Sequence, residues 1–197
     1  HLNDQQSREN LRKYRDRRLV GINVLASPGA GKTSVILHLL ERLSADFSVG
    51  VIEGDVASSI DTETVRSRGY PAVQINTHGG CHLDAHMVSD AVDQLEQAPG
   101  GYFFIENIGN LICPTQYHLG ESLRVVIASV PEGDDKPAKY PGVFTTADCV
   151  VLNKSDLMGA VSFSMARFEE FLRTANPDAP LFVVSCATGE GLDELAA

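Results

Sequence analysis

Apolar and polar residues alternate along the chain in two rhythms. Seven short runs dense in aliphatic and aromatic residues predict strands buried on both sides, at 20–25 (VGINVL), 48–53, 71–75, 102–106, 123–130, 148–152 and 181–185. Between them, 32–43, 61–68, 83–97 and 162–175 carry apolar residues at helical spacing. In the third of these, Leu83, Met87, Val88, Ala91 and Leu95 share one face. Near-continuous apolar strands separated by helices predict an α/β fold: a mostly parallel sheet of about seven strands with helices on both faces. Functional groups then belong at the carboxyl ends of the strands. Only 131–142 (PEGDDKPAKYPG) has the look of a linker.

Composition adds little to this except through charge. The chain has 197 residues and a net charge of −10. Its first eighteen residues are nevertheless basic, with Arg8, Arg12, Lys13, Arg15, Arg17 and Arg18 against Asp4, Glu9 and Asp16. Two units are expected: a basic N-terminal helix or arm at 1–18, read as a solvated helix, and a nucleotide-binding domain at 19–197. The end of the chain, from Gly191, reads as the start of a helix that is cut short. An acidic body excludes duplex nucleic acid as a partner, because phosphate neutralisation needs a positive surface. No apolar run reaches the ~18 residues of a membrane span. Four scattered cysteines without a signal peptide set the protein in a reducing, cytoplasmic compartment.

The chemistry begins directly after the first strand. Ala26-Ser-Pro-Gly-Ala-Gly-Lys-Thr33 is a phosphate-binding loop running into a helix, the arrangement of a P-loop NTPase. Gly29, Ala30 and Gly31 turn backbone N–H groups onto phosphate, Lys32 supplies a point charge, Thr33 offers a hydroxyl to Mg²⁺, and Ser34 continues the helix start. The base is chosen by Asn153-Lys-Ser-Asp156 at the end of the sixth strand. A carboxylate at Asp156 accepts from guanine N1–H and the exocyclic amine, whereas adenine presents an acceptor at N1 and no amine at C2. Asn153 is placed to tie the base-binding loops together and Lys154 to lay its stem along the base. Ser185-Cys186-Ala187 sits where a backbone N–H would reach O6. Two further carboxylates stand at strand ends. Asp55 and Glu106 are candidate Mg²⁺ partners, and Gly109 is the candidate sensor of the γ-phosphate. The substrate is therefore read as GTP with Mg²⁺, and a small-molecule kinase is disfavoured because it has no use for Asn153-Lys-Ser-Asp156.

A second cluster is made of Cys81, His82 and Cys113. Thiolates and imidazole suit Zn²⁺ or Ni²⁺. Neighbours such as Cys81 and His82 can share an ion only from a loop or a helix start, which Gly79-Gly80 permits. His86 falls four residues after His82 and reads as a solvated helix histidine or an added donor. Taken alone, these residues leave open an ion site and three unrelated side chains. Cys149 and Cys186 lie in or beside apolar strands and read as small core residues.

A resemblance bears on that choice. Glu53-Gly-Asp55, Val73-Gln-Ile-Asn-Thr77, Gly80-Cys-His-Leu-Asp-Ala85, Phe104-Ile-Glu-Asn-Ile-Gly-Asn-Leu-Ile-Cys-Pro114, Leu119-Gly-Glu121 and Lys136-Pro-Ala-Lys-Tyr-Pro141 resemble the HypB-type GTPases that help deliver nickel to [NiFe]-hydrogenase. The likeness spans residues 20–195. It implies a GTP-dependent homodimer with a nickel or zinc site at the subunit interface; slow hydrolysis is expected on other grounds, because no glutamine lies beside Glu106-Asn-Ile-Gly109 and no arginine finger is identifiable. Cys81, His82 and Cys113 would be that site, and Lys32, Thr33, Asp55, Glu106, Asn153 and Asp156 the nucleotide contacts. Implied partners are the hydrogenase large subunit and other nickel-delivery accessory proteins. Urease accessory GTPases, with a different Cys-Pro-His metal motif, come second, and a non-enzymatic metal-sequestering dimer is the alternative of another class. The sequence departs from the family in three places. It has no Cys-x-x-Cys-Gly-Cys motif or His-rich tract, Pro131 stands where Thr is usual, and Ala26 replaces the first glycine of the phosphate loop.

Overall fold

The computed structural model describes residues 2–55 and 59–197. Seven strands form one sheet: β1 (Leu19–Ala26), β2 (Ser48–Asp55), β3 (Ala72–Asn76), β4 (Gly101–Glu106), β5 (Leu123–Ser129), β6 (Cys149–Asn153) and β7 (Leu181–Val183). Their order is β3-β2-β4-β1-β5-β6-β7, and every neighbouring pair is parallel. The apolar runs thus become strands within a residue or two of their expected bounds, except that the last is shorter.

Helices cover both faces, as alternation along β4 makes plain. Phe103 and Ile105 point to one face, where they pack with Tyr14 of α1 (Leu2–Asp16) and with Val88, Ala91 and Val92 of α4 (Ala85–Gln94). Phe104 points to the other, against Val35, Ile36 and Leu40 of α2 (Lys32–Leu43), Val65 of α3 (Ile60–Ser67) and Leu192 of α8 (Leu192–Ala196). A third apolar cluster seats α7 (Met165–Ala175) against β5 and β6 through Phe168 and Leu172.

Two expectations need correction. The stretch 131–142 is not a linker: it carries α5 (Lys136–Lys139), leads into α6 (Pro141–Thr145) and follows a 3₁₀ turn at Val130–Glu132. Ser129 and Glu132 form a capping box there, and Pro137 and Pro141 occupy first-turn positions where a missing N–H costs nothing. Nor is the basic N-terminal segment a solvated helix. One face of α1 buries Ser7, Asn10 and Tyr14, the last edge-on to Phe103 at 4.9 Å between ring centroids. The basic residues Arg8, Arg12 and Arg15 occupy its exposed side.

Candidate functional site

The carboxyl ends of β1, β2 and β4 open onto a cleft of about 580 Å³ lined by the phosphate loop, Glu53, Asp55, Asp61, Glu106 and Gly109. Gly29 and Gly31 both hold left-handed backbone, φ +78° and +98°, which turns the loop ahead of Lys32. Thr33 Oγ1 donates to Glu106 Oε1 at 2.8 Å, so the hydroxyl and carboxylate expected to meet do meet. Asp55, half-buried, lines the same cleft at the end of β2.

Strand register adds Glu53, which sequence reasoning missed. β2 and β4 pair so that Glu53 lies opposite Glu106, and both side chains are 3% exposed. Glu53, Asp61 and Glu106 each bring an oxygen within 4.8 Å of the others. Glu53 Oε2 and Glu106 Oε2 are buried and accept no hydrogen bond from the protein. Burial raises the pKa of both carboxyls, and at Glu53 the facing Glu106 raises it further. Two facing buried carboxylates, each with one oxygen that accepts no hydrogen bond among the described residues, need a cation or a proton between them. The set therefore fits a divalent ion, and hard oxygen donors beside a phosphate loop suit Mg²⁺.

The residues expected to bind the base come together on the far side of the loop. Asn153, buried, donates to Ala30 O at 2.9 Å and accepts from Cys186 N at 3.4 Å, so it ties the phosphate loop to the 185–187 loop. Lys154 Nζ donates to Gly29 O at 2.6 Å. Asp156 is exposed, and its Oδ1 accepts from the buried Ser185 hydroxyl at 2.6 Å, which orients the carboxylate. Within Ser185–Ala187, the Ser185 N–H goes to Glu190 O and the Cys186 N–H to Asn153. Among the described residues the Ala187 N–H makes no hydrogen bond, and Ala187 borders the same concavity as Asp156.

Cys81 and His82 lie in the loop before α4. The helix starts at Ala85, capped by Asp84, whose carboxylate accepts from Met87 N. His82 is thus off the helix, the i,i+4 relation to His86 does not form, and His86 stays exposed. Cys81 Sγ is 3.6 Å from His82 Nδ1. Ligands about 2.3 Å (S) and 2.0 Å (N) from a tetrahedral ion stand about 3.5 Å apart, against about 3.1 Å for a right-angled pair, so the spacing fits an ion between them. The Cys81 pKa is raised, chiefly by a hydrogen bond with Cys113, which sets the second thiol beside the first. Cys81 thus has His82 on one side and Cys113 on the other, at a surface where Cys81 and Ile112 are exposed, but the three ligand atoms do not all lie within 4.8 Å of one another; among the described residues only Glu53, Asp61 and Glu106 do.

The two sites are physically continuous. Gly109 lies against the phosphate loop, where a Cβ would stand 2.9 Å from Pro28 Cγ, and only three residues separate it from Cys113 at the start of the 3₁₀ turn Cys113–Gln116.

Known proteins resemble this chain over nearly its whole length. The model of the CobW/HypB/UreG nucleotide-binding domain matches residues 21–183. The hydrogenase maturation factor HypB of Azotobacter chroococcum is 45% identical over 192 residues, which is 98% of this chain and 63% of that protein. The chain thus spans somewhat under two thirds of that relative. The crystal structure of HypB from Helicobacter pylori in complex with nickel superposes with a TM-score of 0.93 at 36% identity, covering 100% of this chain and 92% of that one. That of HypB from Archaeoglobus fulgidus gives 0.91, also at 36% identity, over 98% and 95%.

Proposed function

The chain belongs to the CobW/HypB/UreG family, within its HypB-type branch, and from that premise we propose that it is a GTP-hydrolysing switch that binds nickel or zinc and assists nickel insertion into [NiFe]-hydrogenase. The carrying observation is the continuity between the sites. The chain that leaves β4 at Glu106, whose carboxylate holds Thr33, passes as a loop through Gly109, packed on Pro28, to Cys113.

In this reading Gly29–Ser34 cradle the phosphates, with Lys32 as the point charge on the β/γ oxygens. Thr33, Asp55 and Glu106 would hold Mg²⁺, with Glu53 and Asp61 behind them, and the ion would neutralise charge on the β- and γ-phosphates. Asp156, set by Ser185, and the Ala187 N–H would read guanine. A γ-phosphate that draws on Gly109 carries Cys113 with it, so nucleotide state changes the cation site. A second copy of the chain would complete that site in a GTP-dependent homodimer, and the acceptors would be the hydrogenase large subunit and accessory nickel carriers.

Hydrolysis by the isolated protein should be slow. No glutamine flanks Glu106–Gly109 and, among the described residues, no arginine lines the cleft, and an arginine finger is worth roughly 10³–10⁵ in rate. A turnover measured by phosphate release should fall below about 1 s⁻¹. A faster rate would contradict this arrangement, and no turnover at all would favour a metal-sequestering dimer.

The switch itself is tested by titrating Ni²⁺ and Zn²⁺ into apo, GDP-bound and GTP-analogue-bound protein with mass read in parallel. Cys113→Ala should weaken both metals and abolish the nucleotide dependence while leaving GTP affinity of the metal-free protein nearly intact. Linkage is reciprocal, so in the parent each ligand should shift the other by the same factor. Equal metal affinity of parent and variant in every nucleotide state would reduce Cys113 to a structural thiol.

A further inference from the structure

The segments that carry Cys81-His82 and Cys113 come from different parts of the chain, and the N-terminal helix joins them. Asn10 is fully buried in α1, and its side-chain amide donates to Ala85 O at 2.7 Å and to Leu119 O at 3.0 Å. Asn3, two helical turns earlier, repeats the pattern: its Oδ1 accepts from Ala85 N at 2.9 Å and its Nδ2 donates to His118 O at 2.9 Å. Each asparagine therefore has one bond to the segment ending the Cys81 loop and one to the segment following Cys113. Tyr14 adds a hydroxyl contact to Leu119 O at 3.5 Å.

The backbone is shaped for this contact. Gly120 holds φ +91°, and a Cβ there would stand 2.5 Å from Asn10 Cβ and 2.8 Å from Ser7 O, so the helix lies where residue 120 can carry no side chain. Between the ligands and these bonds sits Tyr117. Its ring stacks on the His82 imidazole, with centroids 3.9 Å apart and planes inclined by 15°, and its carbonyl accepts from Arg124 Nη2 at 3.1 Å.

We propose that α1 is a clamp for the cation site: Asn3 and Asn10 set the spacing of the two ligand-bearing segments, and Tyr117 passes that spacing to the His82 ring. The proposal rests on the cation reading of Cys81, His82 and Cys113. The three are positioning residues, acting through backbone and ring contacts on groups that bind the ion. Supporting residues of this kind typically change metal affinity 10–100-fold. Binding and clamping are linked, so an ion that draws the two segments together must also hold α1 down.

The test uses the whole chain, with Ni²⁺ and Zn²⁺ competed against a chromophoric chelator, the thiolate-to-nickel absorption band recorded, and deuterium exchange of residues 2–16 followed with and without Zn²⁺. Asn3→Ala should bind Ni²⁺ about tenfold more weakly and Asn10→Ala about 10–100-fold more weakly. Both should show a displaced nickel band and unchanged affinity for a GTP analogue. Tyr117→Leu should displace the band and Tyr117→Phe restore it. In the parent, Zn²⁺ should slow exchange along α1. Where Asn10→Ala does not fold, Asn3→Ala, the Tyr117 pair and the parent's exchange decide the matter. If Cys81→Ser and Cys113→Ala lose the ion while the asparagine and tyrosine variants keep the parent's affinity and band, and α1 exchange ignores Zn²⁺, the clamp is wrong and the cation site stands. If the cysteine variants bind as the parent does, both fall together.

Discussion

Asp156→Asn should remove a preference for GTP over ATP of at least about two orders of magnitude, the discrimination expected of a site built to hydrogen-bond a group that the competitor lacks. Its Oδ1 is held by the buried Ser185 hydroxyl at 2.6 Å, which fixes the carboxylate plane before any ligand arrives. A fixed carboxylate can accept from N1–H and from the exocyclic amine of guanine at once. Charge-assisted bonds of this sort contribute about 1.5–3 kcal/mol each, so losing the pair suffices for the expected collapse. An asparagine in the same place offers an amide N–H where guanine also donates, and the two donors oppose each other. Xanthine carries a carbonyl at that position, so the variant should gain affinity for xanthosine triphosphate as it loses GTP. That gain separates altered recognition from simple misfolding. Equal affinity of the unmutated protein for ATP and GTP, measured by competition against a fluorescent guanine nucleotide, would sink the assignment.

How far the chain discloses itself depends on whether a contact is local. The seven strands and α2 could be placed within about two residues because their periodicity is local, and the phosphate loop and Asn153-Lys-Ser-Asp156 are contiguous. Glu53 is different. In the chain it is one acid at the end of an apolar run, and it matters only because β2 lies beside β4 and puts it opposite Glu106. Nothing local encodes that neighbour. The usable signal was that the apolar runs 48–53 and 102–106 both end in glutamate. The buried face of α1 was obscured for a related reason. It is built from Ser7, Asn10 and Tyr14, whose partners are backbone carbonyls and one aromatic ring, so no apolar stripe advertises it. In 131–142, acid and lysine content masked structure that Ser129-x-x-Glu132 and two first-turn prolines spell out.

The second large effect lies beneath the loop that carries Cys113. Arg124, 2% exposed, pairs with Glu121 at 2.7 Å and donates to Thr115 O and Tyr117 O, both at 3.1 Å. Asn23, fully buried, donates to the same carboxylate at 3.3 Å. Replacing Arg124 with methionine would leave a buried carboxylate with a weakened set of donors and two carbonyls with one partner fewer. Breaking a buried ion pair from one side costs about 3–5 kcal/mol, so urea unfolding at pH 7 should show a loss of that size. Acid supplies a sharper check. Burial alone would raise the Glu121 pKa, but His118, Arg124 and the Leu119 N–H outweigh it and hold the carboxyl down at about 2. A depressed carboxyl means that the unfolded chain binds the proton first. Its contribution is complete above the ordinary glutamate pKa of about 4.3 and disappears as pH falls from there toward about 2. Without Arg124 the carboxyl titrates higher and shares less of that dependence. The gap between parent and Arg124→Met should therefore be widest at neutral pH and narrow steadily between pH 4.3 and 2. A gap that stays constant across that interval would mean that the guanidinium acts by packing alone, and a neutral-pH loss under about 1 kcal/mol would place the pair among those that contribute little.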